Sequence, residues 1–172
     1  GFRLDGVAWL DHSGFSVSSA GDVNGDGFDE LVARPICADP NGSFSGSSYV
    51  VFGKASGFSA TLELSSLDGS NGFRLDGVTV GDRSGSSVSN AGDVNGDGFD
   101  DLIVSAPSSG SSYVVFGKAS GFSATLELSH LIGSNGFRLD GVTAGDFSGS
   151  SVSSAGDVNG DGFDDLIVGA SR

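Results

Sequence analysis

The sequence predicts an all-β protein built from tandem antiparallel sheets of four strands, on three observations. The hexapeptide GFRLDG starts at Gly1, Gly72 and Gly136, and the acidic stretch GDVNGDGFD recurs with its first aspartate at Asp22, Asp93 and Asp157. Both markers advance by 71 and then 64 residues, while Phe2 to Asp22, Phe73 to Asp93 and Phe137 to Asp157 stay 20 apart, so one unit repeats in fixed register. Between the markers lie short alternating or apolar runs, and no stretch holds a helical period of useful length.

Each unit offers four strand signals. Ser-Val-Ser-Ser-Ala (16–20) alternates small polar and apolar side chains, and Glu30-Leu-Val-Ala33 is a short apolar run. Tyr49-Val-Val-Phe52 is β-branched and aromatic, and Phe73-Arg-Leu-Asp76 alternates again. Residues 61–67 have room for one helical turn. Four strands in about 64 residues, repeated in tandem, fit the blades of a β-propeller, where each small sheet buries its faces against its neighbours. The small side chains at 16–20, 87–91 and 151–155 suit the innermost strand, nearest the crowded axis. The seven extra residues of the first unit fall within 33–46, a turn-rich segment with two prolines, where an insertion lengthens a loop and spares the strands.

The formal charge is −14, and twelve of the 22 acidic residues sit in the three loops. Such clusters repel nucleic acid and anionic lipid and favour cations. No apolar run is long enough to cross a membrane, so no membrane insertion is expected. The single cysteine, Cys37, has no internal disulfide partner. The chain starts in mid-repeat without a signal peptide, as expected of an excised segment.

With Asp22 as position 1, the first loop places Asp22, Asn24 and Asp26 at positions 1, 3 and 5, a glycine at 6, Phe28 at 7 and Glu30 at 9. Oxygens at this spacing, with a backbone carbonyl at position 7 and a carboxylate to close the site, match the six to eight oxygens that calcium takes. Helix-loop-helix calcium sites need a carboxylate at position 12; Ala33, Val104 and Val168 stand there. Position 9 (Glu30, Asp101, Asp165) is therefore the closing carboxylate. The position-8 aspartates, Asp29, Asp100 and Asp164, are expected to point away from the ion. Magnesium keeps more water than such a site allows, and zinc lacks its usual histidine and cysteine ligands.

The segments SVSSAGDVNGDGFDELV, SVSNAGDVNGDGFDDLIVSAP and SVSSAGDVNGDGFDDLIVGAS resemble the FG-GAP repeats of integrin alpha-chain β-propellers, in the version found in bacterial surface and secreted proteins. The resemblance implies a loop joining the first two strands of each blade, with calcium on the lower face. Carried over by position, the ligands are Asp22, Asn24, Asp26, the Phe28 carbonyl and Glu30. The second set is Asp93, Asn95, Asp97, Phe99 and Asp101, and the third Asp157, Asn159, Asp161, Phe163 and Asp165. Up to three calcium ions follow, with glutamate replacing the usual aspartate at Glu30. If GFRLDG is the outer strand of a blade, residues 1–13 hold the outer strand of a preceding blade and a connection, 14–77 and 85–141 form two blades, and 149–172 form part of a third. Integrin-like propellers have seven blades, so the chain is a partial propeller or one completed by oligomerisation.

No catalytic constellation stands out. His12 and His130 occupy dissimilar places in the repeat, and no serine lies in a Gly-x-Ser-x-Gly elbow. Cys37 reads as an incidental loop cysteine, and Trp9 as a contact or packing residue. The expectation is a non-enzymatic, calcium-stabilised module of a secreted or cell-surface protein, binding a protein or glycan through the opposite loops at 6–14, 33–46 and 77–85. The alternatives are a structural or engineered repeat that self-assembles and an accessory domain of a secreted hydrolase.

Overall fold

The computed structural model describes residues 1–7, 13–35, 38–143 and 145–172; His12, Trp9 and Cys37 lie outside them. In chain order the strands are β1 (Arg3–Asp5), β2 (Ser16–Gly21), β3 (Glu30–Arg34), β4 (Ser47–Val51), β5 (Thr61–Glu63), β6 (Gly72–Asp76) and β7 (Val88–Gly92). They continue with β8 (Asp101–Ala106), β9 (Ser111–Val115), β10 (Thr125–Glu127), β11 (Gly136–Asp140), β12 (Ser148–Gly156) and β13 (Asp165–Ala170). The chain is all-β and has the architecture of a partial β-propeller.

Strands β2-β3-β4-β6 form one antiparallel sheet, β7-β8-β9-β11 a second, and β12-β13 a third, two-stranded one. Each acidic loop joins the first two strands of its sheet. Where the first strand meets that loop, the register slips between Ser19 and Gly21, Asn90 and Gly92, and Ser154 and Gly156. These bulges turn the chain out of the ladder and into the loop.

The four-strand reading of each unit misses a further strand. Thr61–Glu63 and Thr125–Glu127 are three-residue strands, each followed by a single 3₁₀ turn, Leu64–Ser66 or Leu128–His130. Each pairs in parallel with a GFRLDG strand of the preceding unit, β5 with β1 and β10 with β6. A segment that looks like one helical turn thus stitches neighbouring sheets together at their outer edges.

The core lies between sheets. Val32, Val50, Phe73 and Leu75 of the first meet Val88, Leu102, Val104 and Val115 of the second. Ala91, Ile103 and Val114 of the second meet Val152 of the third. The Phe73 ring stacks on Phe122, with centroids 4.7 Å apart, and meets Phe52 edge-on at 5.8 Å. The small residues of the first strands let them approach closely: the Val152 amide of β12 donates to Ser87 Oγ, just ahead of β7, at 3.2 Å.

Candidate metal centre

In the first loop the backbone winds around its own acidic side chains. Asp22 Oδ1 accepts from the Asp26 amide at 3.0 Å and Oδ2 from Gly27 at 2.9 Å, while Asp26 Oδ1 accepts from Phe28 at 3.0 Å. Asn24 Oδ1 accepts from the Asp26 amide at 2.9 Å, and its Nδ2 donates to Asp26 Oδ2 at 3.1 Å. Gly25 and Gly27, with φ of 73° and 86°, make the left-handed turns that this winding needs. Oxygens of Asp22, Asp26 and Glu30 end within 4.8 Å of one another, the only such cluster among the described residues.

Glu30 is fully buried. Its Oε2 accepts from the Val23 amide at 2.6 Å. Its Oε1 is buried without a well-formed hydrogen bond, although the nearby Gly53 amide favours the charged form slightly. Burial pushes the Glu30 carboxyl up to about 7; the Val23 amide opposes this, and the Asp22 and Asp26 charges add to the rise. Carboxylate oxygens of Glu30, Asp22 and Asp26 gathered within 4.8 Å, in a loop that also carries the Asn24 amide oxygen, are a hard-oxygen donor set, which fits a calcium-sized cation. A cleft lined by Asn24, Asp26, Asp68 and Phe122 opens beside the loop.

The second and third loops wind in the same way but close differently. Asp93 accepts from the Gly96, Asp97 and Gly98 amides at 2.7–3.1 Å, and Asp97 from Phe99 at 3.0 Å. Asn95 holds Asp97 through its amide group at 2.9 Å. Asp101, also buried, accepts from Gly117 at Oδ1, 2.9 Å, and from Val94 at Oδ2, 3.0 Å. Burial raises its carboxyl to about 7 against the pull of those amides. In the third loop Asp157 accepts from Gly160, Asp161 and Gly162 at 2.7–3.1 Å, which holds its carboxyl below the usual range, the Gly162 amide contributing most. Asp161 accepts from Phe163 at 3.0 Å, and Asp165 from Val158 at 2.9 Å and from Asn159 Nδ2 at 3.4 Å. An aspartate at position 9 is one methylene shorter than Glu30. In the second and third loops it does not join positions 1 and 5 in a cluster as tight as the first.

Two of the position-8 aspartates, Asp100 and Asp164, reach out of their own loops to a target that the sequence does not reveal. Asp100 Oδ2 accepts from the Asp22 amide at 2.8 Å, and Asp164 Oδ2 from the Asp93 amide at 2.9 Å. Each reaches back to position 1 of the preceding loop.

Replacing the buried charge tests the first loop directly. Glu30→Gln is expected to raise the metal-free melting temperature at pH 7.5, because it removes an unpaired buried charge. It is also expected to remove one equivalent from a calorimetric calcium titration; an unchanged isotherm would speak against Glu30 as a ligand.

Three propeller-like sheets, each opened by an acidic loop with calcium-type spacing, define a class. A family profile described as FG-GAP repeat matches residues 84–121 and 148–172, and the chain carries FG-GAP repeats there. It is 33% identical over 161 residues, 93% of its length, to integrin alpha-PS5 of Drosophila melanogaster. It is also 30% identical over 177 residues to integrin alpha-4 of Xenopus laevis and 30% identical over 178 residues to integrin alpha-V of Gallus gallus, 98% of its length in each case. The chain spans about 15% of the length of these relatives.

Proposed function

We propose that the chain is a calcium-stabilised propeller segment of an extracellular or cell-surface protein that takes part in adhesion or ligand binding. In this reading 14–77 and 85–141 are blades, 1–13 holds the outer strand of a preceding blade, and 149–172 is part of a third. Calcium is held by Asp22, Asn24, Asp26, the Phe28 carbonyl and Glu30, and by the equivalent residues of the other two loops. Its role is architectural: an ion with several oxygen ligands ties the first two strands of a blade together. The observation that carries this reading is the buried Glu30 carboxylate, which brings an oxygen within 4.8 Å of oxygens of Asp22 and Asp26. Calorimetric titration of the metal-stripped chain is expected to give up to three equivalents of calcium. A flat isotherm at millimolar calcium would sink the reading.

Recognition of a protein or glycan is assigned to the loops at the opposite strand ends. The inserted segment and the 77–85 loop lie together there: the Gly81 amide donates to the Ser43 carbonyl at 3.0 Å and Arg83 to Phe44 at 2.8 Å. Phe44, Arg83 and Phe147 adopt left-handed φ of 59°, 55° and 54°, unusual for bulky side chains and a feature of binding loops. Arg34, Arg83 and Arg172 lie over the Phe15, Phe44 and Phe147 rings, at 5.7, 6.0 and 4.7 Å.

A second reading, self-assembly, is favoured by the two outer faces of the array. Val17 is 66% exposed where its counterparts Val88 and Val152 are 6% and 7%, and Val158 is 72% exposed where Val23 is 1%. Each face is one half of the contact that buries the inner sheets. Molar mass in solution with calcium present separates the readings: a monomer at high micromolar concentration rejects self-assembly.

A further inference from the structure

Consecutive acidic loops are joined by a contact that occurs twice. The Asp100 carboxylate accepts the Asp22 amide, 2.8 Å, and the Asp100 amide donates back to the Asp22 carbonyl, 3.2 Å. Asp164 does the same to Asp93, at 2.9 Å and 3.1 Å. Beside these pairs the position-7 rings pack on the glycine at position 4 of the preceding loop, Phe99 on Gly25 and Phe163 on Gly96. The contact has required its own backbone. Gly21 and Gly92 hold φ of 72° and 73°, and a Cβ built on either would overlap the incoming aspartate carboxylate. The first residue of each of these two loops is therefore gripped at both backbone groups by the next loop, while its own side chain organises the amides at positions 5 and 6.

We propose that Asp100 and Asp164 are positioning residues for the cation loop of the preceding sheet, so that successive loops bind cations in a coupled way. The inference rests on the cation reading given above. Asp100 stands between Phe99 and Asp101, the last two proposed ligand positions of its own loop. An ion that closes that loop fixes the backbone from which Asp100 reaches back to Asp22. Binding in one loop thus lowers the ordering cost in the loop before it, and by linkage the effect is reciprocal.

The test is a calcium titration of the metal-stripped chain followed by the backbone amide signals of Gly27, Gly98 and Gly162, one per loop. In Asp100→Ala the Gly27 midpoint is expected to move to higher calcium by about fivefold or more, with the Gly98 midpoint following it by reciprocity and Gly162 unmoved. Asp100→Asn keeps an acceptor oxygen without the charge and is expected to restore most of the Gly27 response. Asp164→Ala repeats the test one loop along, with Gly98 as the signal that moves, and serves if Asp100→Ala fails to fold. If Gly27 does not move in Asp100→Ala, whether or not Gly98 does, the aspartate does not act on the preceding loop and the inference is overturned. If Asp100→Asn behaves like Asp100→Ala, long-range charge and not the hydrogen bond is responsible, which also overturns it. No response from any of the three glycines in the unsubstituted chain overturns the cation reading itself, and this inference with it.

Discussion

Calcium is expected to raise the melting temperature of the metal-stripped chain strongly at pH 7.5 and much less at pH 5. Glu30 and Asp101 titrate near 7 in the fold, against ordinary values of 4.5 and 3.8, mainly because they are buried. Between about pH 4 and 7 the folded chain therefore binds more protons than the unfolded one, and metal-free stability falls as pH rises through that window. The contribution is fully present below the unfolded values and lost above the folded ones. A cation reverses the sign, since it favours the charged carboxylates and displaces their protons. Each filled site contributes about 2.7 kcal/mol when calcium is a hundredfold above its dissociation constant. For a chain of this size that is roughly 5–10 °C per site. Thermal melts at the two pH values, with calcium and with a chelator, provide the measurement. A metal-free melting temperature that rises from pH 5 to 7.5 would contradict the buried-carboxylate account.

Phe73→Ala is expected to be the most damaging single substitution in the contact between the first two sheets. The ring is completely buried, stacked on Phe122 and edge-on to Phe52. Deleting such a ring costs about 3–5 kcal/mol, or roughly 6–20 °C in melting temperature for a chain of this length. Phe137 occupies the same place in the next unit but is only half-buried, with one aromatic contact among the described residues, edge-on to Phe116 at 5.9 Å. Phe137→Ala is expected to cost less than half as much. Equal losses for the two would mean that contacts between sheets do not dominate stability.

Much of this architecture is legible because the repeat presents each element more than once. The register of GFRLDG and the acidic loops, the strands they flank and the absence of a position-12 carboxylate can all be read residue by residue. The parallel strand Thr61–Glu63 was not legible, since three alternating residues carry almost no periodic signal and its partner β1 belongs to another unit. The contact of Asp100 with the Asp22 amide was hidden for the same reason: local spacing says only that the side chain leaves its own loop, and the recipient is 78 positions away. Inequality among the loops was also invisible. The extra methylene of Glu30 looks like a conservative change, yet it accompanies the one tight carboxylate cluster among the described residues.

The packing between sheets has a polarity. The face of the first sheet that carries Val32 and Val50 always meets the opposite face of the next, the one with Val88 and Leu102, so its two halves are different surfaces. Contacts of this head-to-tail kind contain no stop signal, because every sheet added presents afresh the surface that received it. What terminates such a series is rotation: each sheet turns by a fixed angle until the last one meets the first. The number of blades around a finished ring is thus written in the angle between neighbours, and a substitution that alters the packing of Phe73 would be felt as a change in curvature as well as in stability.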